Sequence, residues 1–185
     1  MILLASTIAK EVKAGNICID PFDEKQLGYN SYDVRLAPHL ARYTKFPLRM
    51  DAENPTESWE IPPEGFLLEP GKLYLGATVE TATSHKYVPF LDGRSSVGRL
   101  GISIHITAGV GDCGWGGIPG SLTYPTWTLE ITAAEPVVVL PYRRVGQVYF
   151  FTPDHEPQLS ELYCARGKYN DQKMPQASRM HLDAN

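Results

Sequence analysis

The chain has 185 residues, 43% hydrophobic and 21% charged, with a formal net charge of −4. That length buries a core without disulfides or a structural metal, and the negative balance argues against a general nucleic-acid binder, which needs a cationic face to displace counterions from phosphates. Cys18, Cys113 and Cys164 lie far apart and form no CxxC pair, so neither a disulfide framework nor a zinc ribbon is suggested and a reduced compartment fits best.

At the N-terminus MILLAS lacks a basic leader and an apolar core of signal length, and no run of ~18 apolar residues follows; a cytoplasmic protein that meets no membrane is expected. From Ser6 to Ala14, Ile8 and Val12 oppose Lys10, Glu11 and Lys13, which predicts a short amphipathic helix capped by Ser6 and ended by Gly15. After the Asp20-Pro21 turn, Tyr32 to Leu36 opens a β region, and Thr44 to Pro63 is a Pro- and Glu-rich excursion expected to be a surface loop. Strand-like runs follow at Phe66–Glu69, Leu73–Thr78, Ile102–Ile106, Trp127–Thr132, Val137–Leu140 and Val145–Phe151. With Gly 16 and Pro 15 punctuating them, short strands at such spacing predict one mainly β domain, a barrel or sandwich. From Ser160 onward the chain is polar and without hydrophobic period, as in a disordered terminus.

Strand alternation sorts side chains by polarity. In Ile102 to Thr107 the isoleucines form one face, with Ser103, His105 and Thr107 on the other. In Trp127 to Thr132 the apolar set is again strict, and Glu130 stands between two threonines on the polar face. On this segment alone a solvated edge-strand glutamate is the commoner reading. The stretch from Asp92 to Gly101 combines Arg94, Arg99, Ser95 and Ser96 with three glycines. Guanidinium forks and backbone N–H groups suit a triphosphate, although a Gly/Ser turn with solvated arginines fits the composition equally well. The string is neither a Walker A loop nor a dinucleotide fingerprint.

Taken in order, however, Gly93-Arg94-Ser95-Ser96, Arg99-Leu100-Gly101 and His105-Ile106-Thr107-Ala108 resemble the dCTP deaminase family of the dCTP deaminase/dUTPase superfamily. Ser31 to Leu36, Leu68 to Gly71, Gly111 to Gly117, Thr128-Leu129-Glu130, Arg144 to Gln147 and Gly167-Lys168-Tyr169 continue the match over nearly the whole chain. The resemblance implies a distorted β-barrel or jelly roll of the dUTPase-like type with a short N-terminal helix, one domain over residues 1–185, assembled as a homotrimer. It implies that Glu130 is the general base activating water at cytosine C4, with Ser95 and Arg99 from the neighbouring subunit orienting that water and stabilising developing charge. Asp112 would hold the deoxyribose 3′-hydroxyl and Trp115 would lie near the sugar. Arg94, Ser96, Thr128, Leu129, Gln147, Tyr163, Lys168 and Gln172 are the further nucleotide contacts, with Mg2+ riding on the triphosphate and no protein ligand to a metal. Residues 160–185 would close over the phosphates, ordering when a ligand supplies negative charge. Zinc nucleobase deaminases need His-x-Glu and Pro-Cys-x-x-Cys, neither of which occurs, so no zinc is expected. His105 is read as structural, at a subunit interface.

The chain departs from the family pattern in three places: Gly111 stands where a hydrophobic residue usually precedes the aspartate, extra residues including Pro119, Tyr124 and Pro125 separate Trp115 from Glu130, and the Asn-bearing turn after the glutamate strand is absent at Thr132-Ala133-Ala134. The leading expectation is hydrolytic deamination of dCTP to dUTP and ammonia, supplying dTTP precursors, with dTTP as an inhibitor in the family habit. The alternatives are a bifunctional enzyme giving dUMP and diphosphate, a dUTPase or other pyrimidine nucleotide pyrophosphatase, and a non-catalytic nucleotide-binding module.

Overall fold

The computed structural model describes residues 1–183. Helix α1 spans Ala5–Lys13 and buries Ile8; Leu4, not Ser6, stands at its N-cap, without a side-chain cap, so Ser6 lies inside the first turn. Gly15, at φ +76°, follows the helix end as expected. The strands are β1 Ile17–Asp20, β2 Tyr32–Tyr43, β3 Thr56–Glu60, β4 Phe66–Leu68, β5 Tyr74–Thr78, β6 Thr81–Ser84, β7 Val88–Gly93, β8 Ile102–Ser103, β9 Thr128–Ala133, β10 Val137–Val139 and β11 Arg144–Phe151, with a four-residue helix α2, Ser95–Gly98, between β7 and β8. Seven strands form one sheet, in the order β7-β11-β2-β5-β9-β8 with β3 added on β2; β1 pairs β6 and β10 pairs β4. All pairings are antiparallel. The result is the mainly β, nearly closed barrel-like sheet that the resemblance implies.

The long strand β2 makes the sheet curl. Its first half pairs β11 and its second half pairs β3, while β5 runs along the other side with a register shift between Leu36 and Leu40. Pro38 sits in that shift, where its missing N–H leaves no ladder bond unmade. Inward residues of the strands supply the core: Tyr32, Val34, Leu36, Leu40, Leu68, Tyr74, Leu91, Leu129, Val148 and Phe150 are buried. Across the same strand, Glu80 is wholly buried and accepts from Arg35 Nε (2.5 Å), the Arg35 backbone N–H (2.8 Å) and Gln26 Nε2 (3.0 Å). This ion pair ties β2 to the turn between β5 and β6.

Three expectations change. Part of the Thr44 to Pro63 excursion is a strand, β3, because it finds the free edge of β2. The Ile102–Ile106 run is regular only at Ile102–Ser103; Ile104 is buried but Ile106 is 57% exposed, so the isoleucines do not share one face. Strands β1, β6 and β7 were not expected: β6 is Thr-Ala-Thr-Ser, buried throughout without any apolar alternation, and β7 carries Pro89. Among the described residues no helix is long and apolar enough to cross a membrane.

Candidate active site

A cavity of about 530 Å³ opens beside β9, within the size range of small-molecule sites. Alternation along β9 places it: Leu129 and Ile131 point into the core, which turns Thr128 and Glu130 to the other face and into the cavity wall. One Glu130 oxygen, Oε2, accepts the backbone N–H of Ile106 at 2.7 Å, so the carboxylate pins the His105-Ile106-Thr107 stretch across the opening. Its second oxygen has no protein donor among the described residues.

The apolar wall is a pair of indoles. Trp115 and Trp127 meet edge to face, centroids 4.8 Å apart, and Trp127 is held by its Nε1–H to the Ala82 carbonyl and its backbone N–H to Thr78 Oγ1, both 3.0 Å. Gly111 explains its own departure from the family pattern. A β-carbon there would lie 2.4 Å from Trp127 Cη2 and 3.0 Å from Pro89 Cγ, so the indole occupies the space that a larger residue 111 would fill. Asp112 is exposed at the rim. The neighbouring Cys113 thiol is pushed up to about 11, first by burial and then by Asp112 and Cys164.

The tail crosses this cavity. Residues 159–161 and 163–165 form short 3₁₀ turns, and the Tyr163 N–H donates to the Cys113 carbonyl (2.8 Å). Trp115 Nε1–H donates to the Tyr169 carbonyl (2.8 Å), Gln176 N–H to Thr128 Oγ1 (3.2 Å) and Ser178 N–H to Tyr43 Oη (3.1 Å). The polar segment therefore orders by spending its hydrogen bonds on the barrel, a possibility that hydrophobic period does not register. Lys168 pairs with Asp183, which holds its ammonium above the ordinary lysine range. Residues 184 and 185, included in the expected tail, lie outside the described residues.

Of the residues singled out from sequence, Glu130, Asp112, Trp115, Thr128, Tyr163 and Gln172 line the cavity. Leu129 does not: its side chain is fully buried in the core, leaving only its backbone for a ligand, and that backbone sits in the ladder opposite Gly76. Lys168 stands outside the lining.

Ser95, Ser96 and Arg99 are exposed on and after α2, and none of them lines the cavity. Arg94 and Gln147 belong to a second polar group. Asp33, Gln147 and Asp92 face one another across β2, β11 and β7. Asp33 is paired with Arg94 Nε (3.2 Å) and Arg144 Nη1 (3.4 Å); Ser31 Oγ donates to Gln147 Oε1 (3.1 Å) and Gln147 Nε2 to the Gly93 carbonyl (3.2 Å). His105 Nε2 lies 3.6 Å from Asp92, and its Nδ1 is buried without a partner. This polar group is separate from the cavity that holds Glu130. Sequence reading missed Trp127, Tyr43 and Tyr169 as lining residues; only the unusual Gly111 hinted at the first.

The family model described as dCTP deaminase-like matches residues 2–152. The chain is 45% identical over 183 residues to a protein of Clostridium beijerinckii named dCTP deaminase, dUMP-forming, covering 99% of this chain and 98% of that one. It is 43% identical over 183 residues to a protein of the same name from Leptospira biflexa, with the same coverage. The crystal structure of 2′-deoxycytidine 5′-triphosphate deaminase from Agrobacterium tumefaciens shares the fold, with TM-score 0.60 and 20% identity over 89% of this chain; the chain spans about half, 51%, of that one. The match over most of the barrel and the level of identity to its relatives together mean that this chain belongs to the dCTP deaminase family.

Proposed function

We propose that the protein converts dCTP to dUMP, removing the 4-amino group as ammonia and then releasing diphosphate. This replaces release of dUTP as the leading expectation, because the similar relatives cited above carry the dUMP-forming name. The observation that carries the deaminase half is Glu130, a carboxylate set in the wall of an open cavity by strict alternation on β9. In this reading Glu130 takes a proton from water as its oxygen adds to cytosine C4. The same carboxyl then delivers a proton to the departing amine, so that ammonia leaves and the C4 carbonyl forms. A second water opens the bond between the α-phosphorus and the bridging oxygen, giving dUMP and diphosphate.

Ser95 and Arg99 would orient the first water and stabilise charge on the tetrahedral intermediate. Their separation from Glu130 supports a site shared between subunits, and the exposed Leu100 (59%), Ile106 (57%) and Val110 (61%) are apolar surface suited to such an interface. A trimer is the assembly we propose. Asp112 and Trp115 would take the sugar, Thr128 the base edge, and Arg94, Ser96, Gln147, Tyr163, Lys168 and Gln172 the phosphates. Among the described residues no group of three or more His, Cys, Asp and Glu side chains is arranged to hold a metal ion. In this reading magnesium would be held by phosphate oxygens and water, where it would supply charge neutralisation at the leaving diphosphate.

Incubation with magnesium and dCTP or dUTP, following ammonia and diphosphate separately, tests the assignment. Both products from dCTP, in equal amounts, are expected. Ammonia with accumulating dUTP would reduce the activity to deamination, and diphosphate without ammonia would overturn it in favour of a dUTPase.

A further inference from the structure

Residues 116–126 join Trp115 to β9 and contain the stretch that the family pattern does not account for. They are anchored at their base. Thr123 N–H donates to the Gly116 carbonyl (2.9 Å), and the buried Pro125 accepts at its carbonyl from Thr81 Oγ1 (2.9 Å). A β-carbon on Gly116 would lie 2.8 Å from Pro125 Cδ, and its φ of +86° is one that glycine alone adopts freely. A loop folded so tightly on its own root presents fixed hydrogen-bonding groups to whatever lies against it.

What lies against it is the tail. Thr126 N–H donates to the Gln172 carbonyl and Gln172 Nε2 donates back to the Thr126 carbonyl, both at 2.9 Å. Thr123 Oγ1 donates to the Asn170 carbonyl. Two other atoms of these same residues, Thr126 Oγ1 and Asn170 Oδ1, are buried without partners. Each unmet group costs free energy on closing and offsets part of what the three bonds contribute. The seam is therefore held by three bonds and opposed by two unmet groups.

We propose that residues 116–126 are a latch that holds the tail over the cavity through bonds within the chain, making Thr123 a positioning residue for the tail's nucleotide contacts. The inference rests on the reading of the cavity as a nucleotide site, and it adds a closing force that does not depend on the ligand's charge.

Thr123→Val removes the hydroxyl and keeps the shape, whereas Thr123→Ser keeps the hydroxyl. Limited trypsin cleavage at the exposed Lys173, without nucleotide, reads the latch alone; steady-state kinetics on dCTP read its consequence. For T123V the tail is expected to cleave about fivefold faster and KM to rise about fivefold with kcat near wild type, as for loss of one net hydrogen bond. T123S should match wild type in both assays. Equal cleavage of T123V and wild type would overturn the latch, and a loosened tail with unchanged KM would overturn the positioning role. If T123V loosens the tail while wild-type protein releases neither ammonia nor diphosphate from dCTP, the latch stands and the nucleotide reading falls.

Discussion

Gly111→Ala is the smallest change that should unsettle the cavity. The added carbon would sit 2.4 Å from Trp127 Cη2 and 3.0 Å from both Cζ2 and Pro89 Cγ, against contact distances of about 3.5–4.0 Å. The indole cannot give way cheaply, being 7% exposed, hydrogen-bonded to Ala82 and packed edge-on to Trp115. Overpacking of this kind costs about 1–3 kcal/mol, and loss of the indole bond adds about 1 kcal/mol. For a chain of this size the total of about 2–4 kcal/mol lowers Tm by roughly 5–15 °C. Thermal unfolding of G111A, W127F and the double variant is the assay. Because the two side chains compete for one space, the double variant should lose less than the sum of the singles, with a coupling of at least about 1 kcal/mol. Wild-type Tm in G111A, or strict additivity, would refute the argument that Trp127 fills the position.

Other outcomes follow from the same geometry. Glu80→Ala removes the acceptor of the Arg35 side chain and backbone N–H and leaves the buried Gln26 amide only the Asp33 carbonyl, and should destabilise by about 3–5 kcal/mol in a denaturant titration; a loss below about 1 kcal/mol would remove the pair from the account of β2. Glu130→Gln and Arg99→Ala should each be inactive alone, yet in the proposed assembly, where each site draws on two subunits, dissociation and reassembly of a 1:1 mixture should make about a quarter of the sites whole. No recovery from the mixture would place both residues in one chain's site. Burial holds the Cys18 and Cys113 thiols up at about 11, so both should react slowly with an aromatic disulfide at pH 8. A fast phase counting all three cysteines would contradict their burial.

Alternation made the central strand legible. Trp127 to Thr132 places its apolar residues inward as the period predicts, which sets Glu130 on the polar face; the resemblance, not the period, singled it out from a solvated edge-strand glutamate. Val145 to Phe151 is a strand as expected, with Phe151 turned outward. The same rule failed at Ile102 to Ile106, where chain geometry after Ser103 is set by the Ile106 N–H bond to Glu130 and not by the pleat. Strand β6 was invisible because its burial comes from the fold around it; Thr81, Thr83 and Ser84 find partners or space only in the tertiary structure. The tail escaped for the same reason, its order resting on bonds to Trp115, Thr126, Thr128 and Tyr43 that no local pattern records. Ser95 and Arg99 were named through resemblance, and a single chain leaves them apart from Glu130.

The most direct test of the account is Glu130→Gln assayed with magnesium and dCTP, measuring nucleotide affinity and ammonia release on the same preparation. The account predicts affinity within a fewfold of wild type and ammonia release lowered by about 10²-fold or more. Ammonia release near the wild-type rate would contradict it and take Glu130, and the cavity built around it, out of the chemistry.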